Sequence, residues 1–162
     1  YKNYAIAKLK NENLLRNISS NNIKSSIARC YTFVGKYVPL NSNFVIGNLI
    51  NSILNNKSII LKNSKKVVRS YMHTDELSKS LISILYKSNR NCLTFNVGSL
   101  DKIIVKKLCN KLSKVYKLKL ETQRYNSHYE DIYLPRKLKK IPLIKAKMKS
   151  YDSIIKTVKQ LM

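Results

Sequence analysis

Tyr4 and Lys8 stand four residues apart in Tyr4-Ala5-Ile6-Ala7-Lys8, within a stretch whose apolar residues recur at helical spacing. On a helix that spacing puts the phenol and the ammonium one turn apart on the same side. A fixed cation beside a phenol stabilises phenolate and draws its pKa down from about 10 toward the working range of a general acid or base. The chain holds 11 tyrosines and 32 Lys plus Arg, so this spacing also arises by chance and needs company to carry weight. Arg69 offers a second chemistry, because a planar guanidinium meets two oxygens of a phosphate at once. On its own it reads equally as a solvated strand residue. Asp75 and Glu76 are adjacent carboxylates, but they follow Thr74, a residue type that caps helices. There they read as first-turn residues whose charge complements the helix N-terminus rather than as catalytic acids.

Other chemistries are excluded or weakened. The three glycines, Gly35, Gly47 and Gly98, are too far apart for a phosphate-cradling loop, so the chain alone has no usual grip on a dinucleotide or a nucleoside triphosphate. Cys30, Cys92 and Cys109 are odd in number and singly placed, and read as small buried apolar residues of a reducing compartment. His73 and His128 are far apart and make no metal motif. The net charge of +24 invites a nucleic-acid reading, with Tyr125, Tyr129 and Tyr133 interleaved among lysines. The lysines are nevertheless dispersed from Lys2 to Lys159, arginine is scarce, and no nucleic-acid motif is present. No apolar run reaches transmembrane length, and the lysines near the start break any signal-peptide pattern, so the expectation is a soluble cytoplasmic protein.

The elements that must position these residues follow from periodicity. Residues 4–18 read as a helix, 25–32 as a buried strand and 43–54 as a second amphipathic stretch. Short strands are expected at 58–61 and 67–72, separated by a polar turn at 62–66. A helix capped by Thr74 should run to about Ser88, followed by a strand at 93–97 closed by Gly98 and a helix at 103–115. Residues 117–123 alternate like a strand, 124–133 read as a polar loop, and 151–161 as a closing helix. Alternating strands and helices give an α/β fold.

Several short motifs occur in order: Tyr4-Ala5-Ile6-Ala7-Lys8 with Glu12, then Ala28-Arg29-Cys30-Tyr31-Thr32-Phe33-Val34-Gly35. Arg69-Ser70-Tyr71-Met72-His73-Thr74-Asp75-Glu76-Leu77, Phe95-Asn96-Val97-Gly98-Ser99 and Tyr133-Leu134-Pro135 follow. This series resembles the NAD-dependent epimerase/dehydratase family, the extended short-chain dehydrogenase/reductases that act on nucleotide-sugars. The resemblance implies the C-terminal part of a Rossmann-like cofactor fold joined to a small α/β substrate-binding part, the first Rossmann half being absent. Residues 1–36 would be the last of the cofactor part and 37–162 mostly the substrate part. It also implies catalysis by Tyr4, with Lys8 tuning its pKa and holding the ribose of NAD or NADP. Arg69 would pair with the substrate diphosphate, and Thr32 would contact it.

The chain departs from the family pattern at particular places. Thr32 stands where Asn is common, Lys36 replaces a Pro after the Gly, and Arg136 follows Tyr133-Leu134-Pro135 where Asp is common. Asn96 and Gly98 are expected to shape the site from a strand-end turn rather than to react. The resemblance further implies a homodimer in the complete enzyme, involved in steps such as polysaccharide biosynthesis. The chain opens on Tyr1 inside a helical pattern, so the expectation is a fragment that needs a complementing N-terminal half and is inactive alone. The alternatives are a basic nucleic-acid-binding module and a non-catalytic remnant.

Overall fold

The computed structural model describes residues 2–40, 44–61, 66–122 and 130–162. In chain order the elements are α1 (Lys2–Ile18), β1 (Ser26–Cys30), β2 (Phe33–Val34), α2 (Val45–Leu54), β3 (Ile59–Leu61), β4 (Val67–Arg69) and β5 (Met72–His73). They continue as α3 (Thr74–Tyr86), β6 (Leu93–Gly98), β7 (Ile103–Ile104), α4 (Val105–Val115), β8 (Leu120–Thr122), β9 (Asp131–Ile132), β10 (Leu143–Lys145) and α5 (Ser150–Leu161). The α/β expectation holds. The turn at 62–65, the start of the stretch at 43, and Tyr125, His128 and Tyr129 lie outside the described residues.

The main sheet is parallel, with strand order β1-β6-β10. Ile27 faces Thr94 and Arg29 faces Asn96 across β1 and β6, while β10 adds Leu143 opposite Asn96. A smaller sheet has the order β7-β4-β9, antiparallel between β4 and β7 and parallel between β4 and β9. Two further parallel pairs join β2 to β5 and β3 to β8. One apolar cluster joins Leu77 and Ile84 of α3 to Phe95 and Val97 beneath the main sheet. A larger one gathers Ile46, Leu49, Ile50 and Ile53 of α2 with Leu108 and Leu112 of α4 and Ile154 and Val158 of α5. Their spacing of three and four residues is what lines one side of each helix.

Four boundaries differ from the sequence expectation. The expected strand at 67–72 is two strands in different sheets, β4 and β5, parted at Ser70 and Tyr71. Tyr71 is buried and its backbone N–H donates to Ser150 Oγ at 2.8 Å instead of to a ladder. Ile103 and Ile104 pair with Arg69 and Val68 as strand β7 rather than opening α4. The cap of α3 is His73, not Thr74: its imidazole Nδ1 accepts the Asp75 backbone N–H at 3.2 Å, and Thr74 is already helical. Asn96 lies within β6 rather than at its end. β10 escaped the sequence reading altogether, its three residues being too few to show alternation.

Asp75 and Glu76 serve the fold. Asp75 bonds Lys156 of α5, and Glu76 accepts the backbone N–H of Lys147 at 2.9 Å. Gly35 is required by close approach, because a Cβ there would run into the Thr74 side chain. The three cysteines are free. Burial pushes the Cys109 thiol up to about 11, in keeping with an apolar packing role. Among the described residues no helix is long and apolar enough to cross a membrane.

Candidate active site

The site gathers where β1 ends. Parallel α/β sheets leave a crevice outside the carboxyl ends of their strands, where ligands bind. There the chain continues through Tyr31 and Thr32 into β2. The Tyr31 backbone N–H donates to Val97 O at 2.9 Å, and the Thr32 carbonyl accepts the Met72 N–H at 3.1 Å. Gly98 lets this corner close, since a Cβ on it would stand 3.0 Å from Tyr31 Cβ and 3.2 Å from Pro135. Thr32 is therefore held by its backbone beside β5, and it is half-buried.

β4 and β9 bring in the cation. Arg69 closes β4, and its guanidinium donates to Asp131 Oδ2 at 2.7 Å, to Asp131 O at 2.9 Å and to Val68 O at 2.9 Å. Those contacts use three of its five N–H donors. The pair sits at the edge of water, Asp131 being 54% exposed, so a stronger anion can compete for the fork. The same ladder continues with the Tyr133 N–H donating to Val68 O at 3.1 Å. The Tyr133 ring then lies 5.1 Å from that of Tyr31.

α1 supplies the Tyr/Lys pair. Lys8 Nζ lies 5.5 Å from the centroid of the Tyr4 ring, one helical turn away as the spacing required. Tyr4 is 68% exposed. The electrostatic surroundings of Tyr133 tie the segments together. Burial raises its phenol above the ordinary range, Tyr31, Tyr4 and Cys30 add to that, and Arg69 opposes it. Tyr31, Arg69 and Tyr133, from three separate segments, thus meet at this corner, and the Tyr4 phenol acts on Tyr133 electrostatically from α1.

Sequence reasoning named Tyr4, Lys8, Arg69 and Thr32. It gave no role in the enzyme reading to Tyr31 or Tyr133, although both stand in the quoted motifs. It missed Asp131, whose pairing with Arg69 spans 62 positions and leaves no local signal. A side chain buried inside β6 completes the surroundings: Asn96 donates through Nδ2 to Arg136 O at 2.8 Å, which fixes the segment after Pro135.

A sequence model for the NAD dependent epimerase/dehydratase family matches residues 2–98. The chain belongs to that family. Comparison with curated proteins finds no match. Among solved structures, UDP-N-acetylglucosamine 4-epimerase from Methanobrevibacter ruminantium M1, in complex with UDP-N-acetylmuramic acid, is similar with a TM-score of 0.76 and 22% identity. That likeness covers 96% of this chain and 52% of the epimerase. The dTDP-glucose 4,6-dehydratase from Streptomyces venezuelae, solved with NAD bound, has a TM-score of 0.70 at 15% identity over 96% of this chain and 49% of its own. UDP-N-acetylglucosamine 4-epimerase from Bacillus cereus gives 0.73 at 15%, over 98% and 53%. At these identities the likeness is one of fold, and it is to the C-terminal half of such Rossmann-like epimerase/dehydratase structures. The chain spans about half the length of the structures it matches.

Proposed function

We propose that this epimerase/dehydratase-family chain forms the acid–base and substrate side of an NAD-dependent enzyme acting on a nucleotide-sugar. What carries the reading is the Tyr4–Lys8 pair, 5.5 Å apart on one side of α1, given the family match. Tyr4 moves a proton to or from a sugar hydroxyl, and Lys8, one turn along, holds positive charge beside the phenol and reaches the cofactor ribose. Lys8 would hold the cofactor by its ribose, and NAD bound there would supply reversible hydride transfer at the sugar carbon. Arg69 offers its remaining N–H donors to the diphosphate, with Thr32 beside it, while Asp131 keeps the fork oriented.

The fit of the cofactor to this chain is partial. Lys8 is present, but the three glycines are dispersed and form no dinucleotide loop. A further half supplies that loop in this reading, and it covers the exposed apolar residues of α1, among them Leu9, Leu14 and Ile18. Residues up to Lys36 then belong to the cofactor side, with β6 and β10 returning to its sheet, and most of the remainder to the substrate side.

Calorimetry on the 162-residue chain tests this division. NAD should bind weakly or not at all, while a UDP-sugar or dTDP-sugar should bind with an affinity that Arg69→Ala lowers. Tight stoichiometric NAD binding to the chain alone would overturn the division. Nucleotide-sugar binding indifferent to Arg69→Ala would overturn the diphosphate role.

A further inference from the structure

α1 carries the Tyr/Lys pair, yet none of its 17 residues is buried. Its apolar side chains are largely open, with Leu9 at 54% and Leu14 at 60% exposure. Within this chain, so little apolar burial leaves the tilt of α1 to other contacts. The side-chain hydrogen bonds that leave the helix among the described residues come instead from Glu12 and Arg16. Glu12 receives the Arg29 guanidinium in a two-pronged contact, Nε to Oε1 at 2.8 Å and Nη2 to Oε2 at 2.7 Å. Arg16, one turn on, bonds the same carboxylate at 3.2 Å and reaches Thr94 Oγ1 of β6 at 3.0 Å. The Glu12 side chain is only 13% exposed. Tyr4, Lys8, Glu12 and Arg16 follow one another at four-residue intervals, so the clamp stands on the same winding stripe as the Tyr/Lys pair.

We propose that Glu12 and Arg29 are positioning residues for Tyr4 and Lys8: a charge clamp to β1, steadied by Arg16 on β6, sets where α1 presents the pair. The proposal rests on the assignment of Tyr4 and Lys8 above. Geometry gives it leverage. Eight residues of helix separate Glu12 from Tyr4, about 12 Å, so a tilt of about 5° at the clamp displaces the phenol by about 1 Å. A misplacement of that size costs about 10²-fold in rate where a proton must pass between fixed atoms. A bidentate guanidinium–carboxylate contact is the side-chain interaction that holds both distance and angle.

Nitroxide labels at Asn3 of α1 and Tyr86 of α3, both exposed, read the placement of the helix in the 162-residue chain without any activity assay. The parent should give a single narrow distance distribution by pulsed electron resonance. Glu12→Gln and Arg29→Gln should each broaden it, the double variant no further than either, and Thr94→Val should broaden it less. Amide exchange of β1 and β6 serves as the folding control and should be unchanged. In the NAD-dependent enzyme containing this chain, Glu12→Gln should lower kcat by about 10²-fold with KM for the nucleotide-sugar unaltered. A narrow, parent-like distribution in Glu12→Gln with the sheet intact would overturn the clamp. Broadening with unchanged kcat would keep the clamp as a structural device and overturn its positioning role. Failure of the Tyr4 assignment itself is read separately, from an active Tyr4→Phe enzyme.

Discussion

α1 and α4 are both helices laid against strands, and they are held by opposite means. α4 buries Val105, Leu108, Cys109, Leu112 and Ser113, the first four in the core cluster that also holds side chains of α2, α5 and β3. α1 is longer, places no residue in the core, and is tied down by a carboxylate and two guanidiniums. α4 therefore draws stability from area removed from water, roughly 25 cal/mol per Å². α1 contributes little to the core and gains its orientation from a few polar contacts. A helix that must place a reacting group gains from contacts that define angles, whereas a helix that must hold the fold gains from contacts that accumulate.

The largest effect should come from the core side of this contrast. Leu112 is fully buried, and Leu112→Ala should cost about 3–4 kcal/mol, read as a fall in unfolding midpoint under denaturant. Gly35→Ala comes next, because its Cβ collides with the Thr74 side chain at the start of α3. About 1–3 kcal/mol is expected from such overpacking, with Thr74→Ala recovering part of it in the double variant. Glu12→Gln should cost less, about 1 kcal/mol, between the ranges for exposed and buried ion pairs, because Arg29 is partly in water.

The same clamp gives a pH dependence with a definite sign. Hydrogen bonds from Arg29 hold the Glu12 carboxyl below its ordinary value of 4.5, against a smaller opposing effect of burial. A carboxyl lowered in the folded state contributes stability that is present above its unfolded pKa and is lost as pH falls through the folded one. Acid titration below about pH 4.5 should therefore release α1 before the α4 core, with amide exchange rising first in Lys2–Ile18. Glu12→Gln should abolish that early phase. Smallest of all, Leu14→Ala on the open face of α1 should change the stability of this chain by less than about 0.5 kcal/mol. A large loss there would remove the contrast.

Helices were legible in the sequence to within two residues. Residues 4–18, 74–88 and 151–161 correspond to α1, α3 and α5 because their spacing repeats over several turns. Short strands were legible only in part. β4 and β5 merged into one because nothing local marks the break at Ser70 and Tyr71, where a distant Ser150 takes the N–H. Ile103 and Ile104 suit a helix or a strand equally, and the β4 edge decided between them. The Tyr4–Lys8 geometry was readable because it is local to one helix. Asp131 beside Arg69 and Tyr133 beside Tyr31 were not, because the contacts that matter join segments the sequence keeps far apart. Likewise Glu12 stood in a recognised motif, but its partner Arg29 emerged only from the docking of α1 on β1.

Tyr4, on this ion-held helix, is the group proposed to move the proton. Single-turnover and steady-state rates of Tyr4→Phe, measured on a nucleotide-sugar in the NAD-dependent enzyme containing this chain, test that role most directly. Loss of turnover by at least about 10²-fold with nucleotide-sugar binding nearly intact is the expected result. Turnover equal to that of the parent enzyme would contradict it.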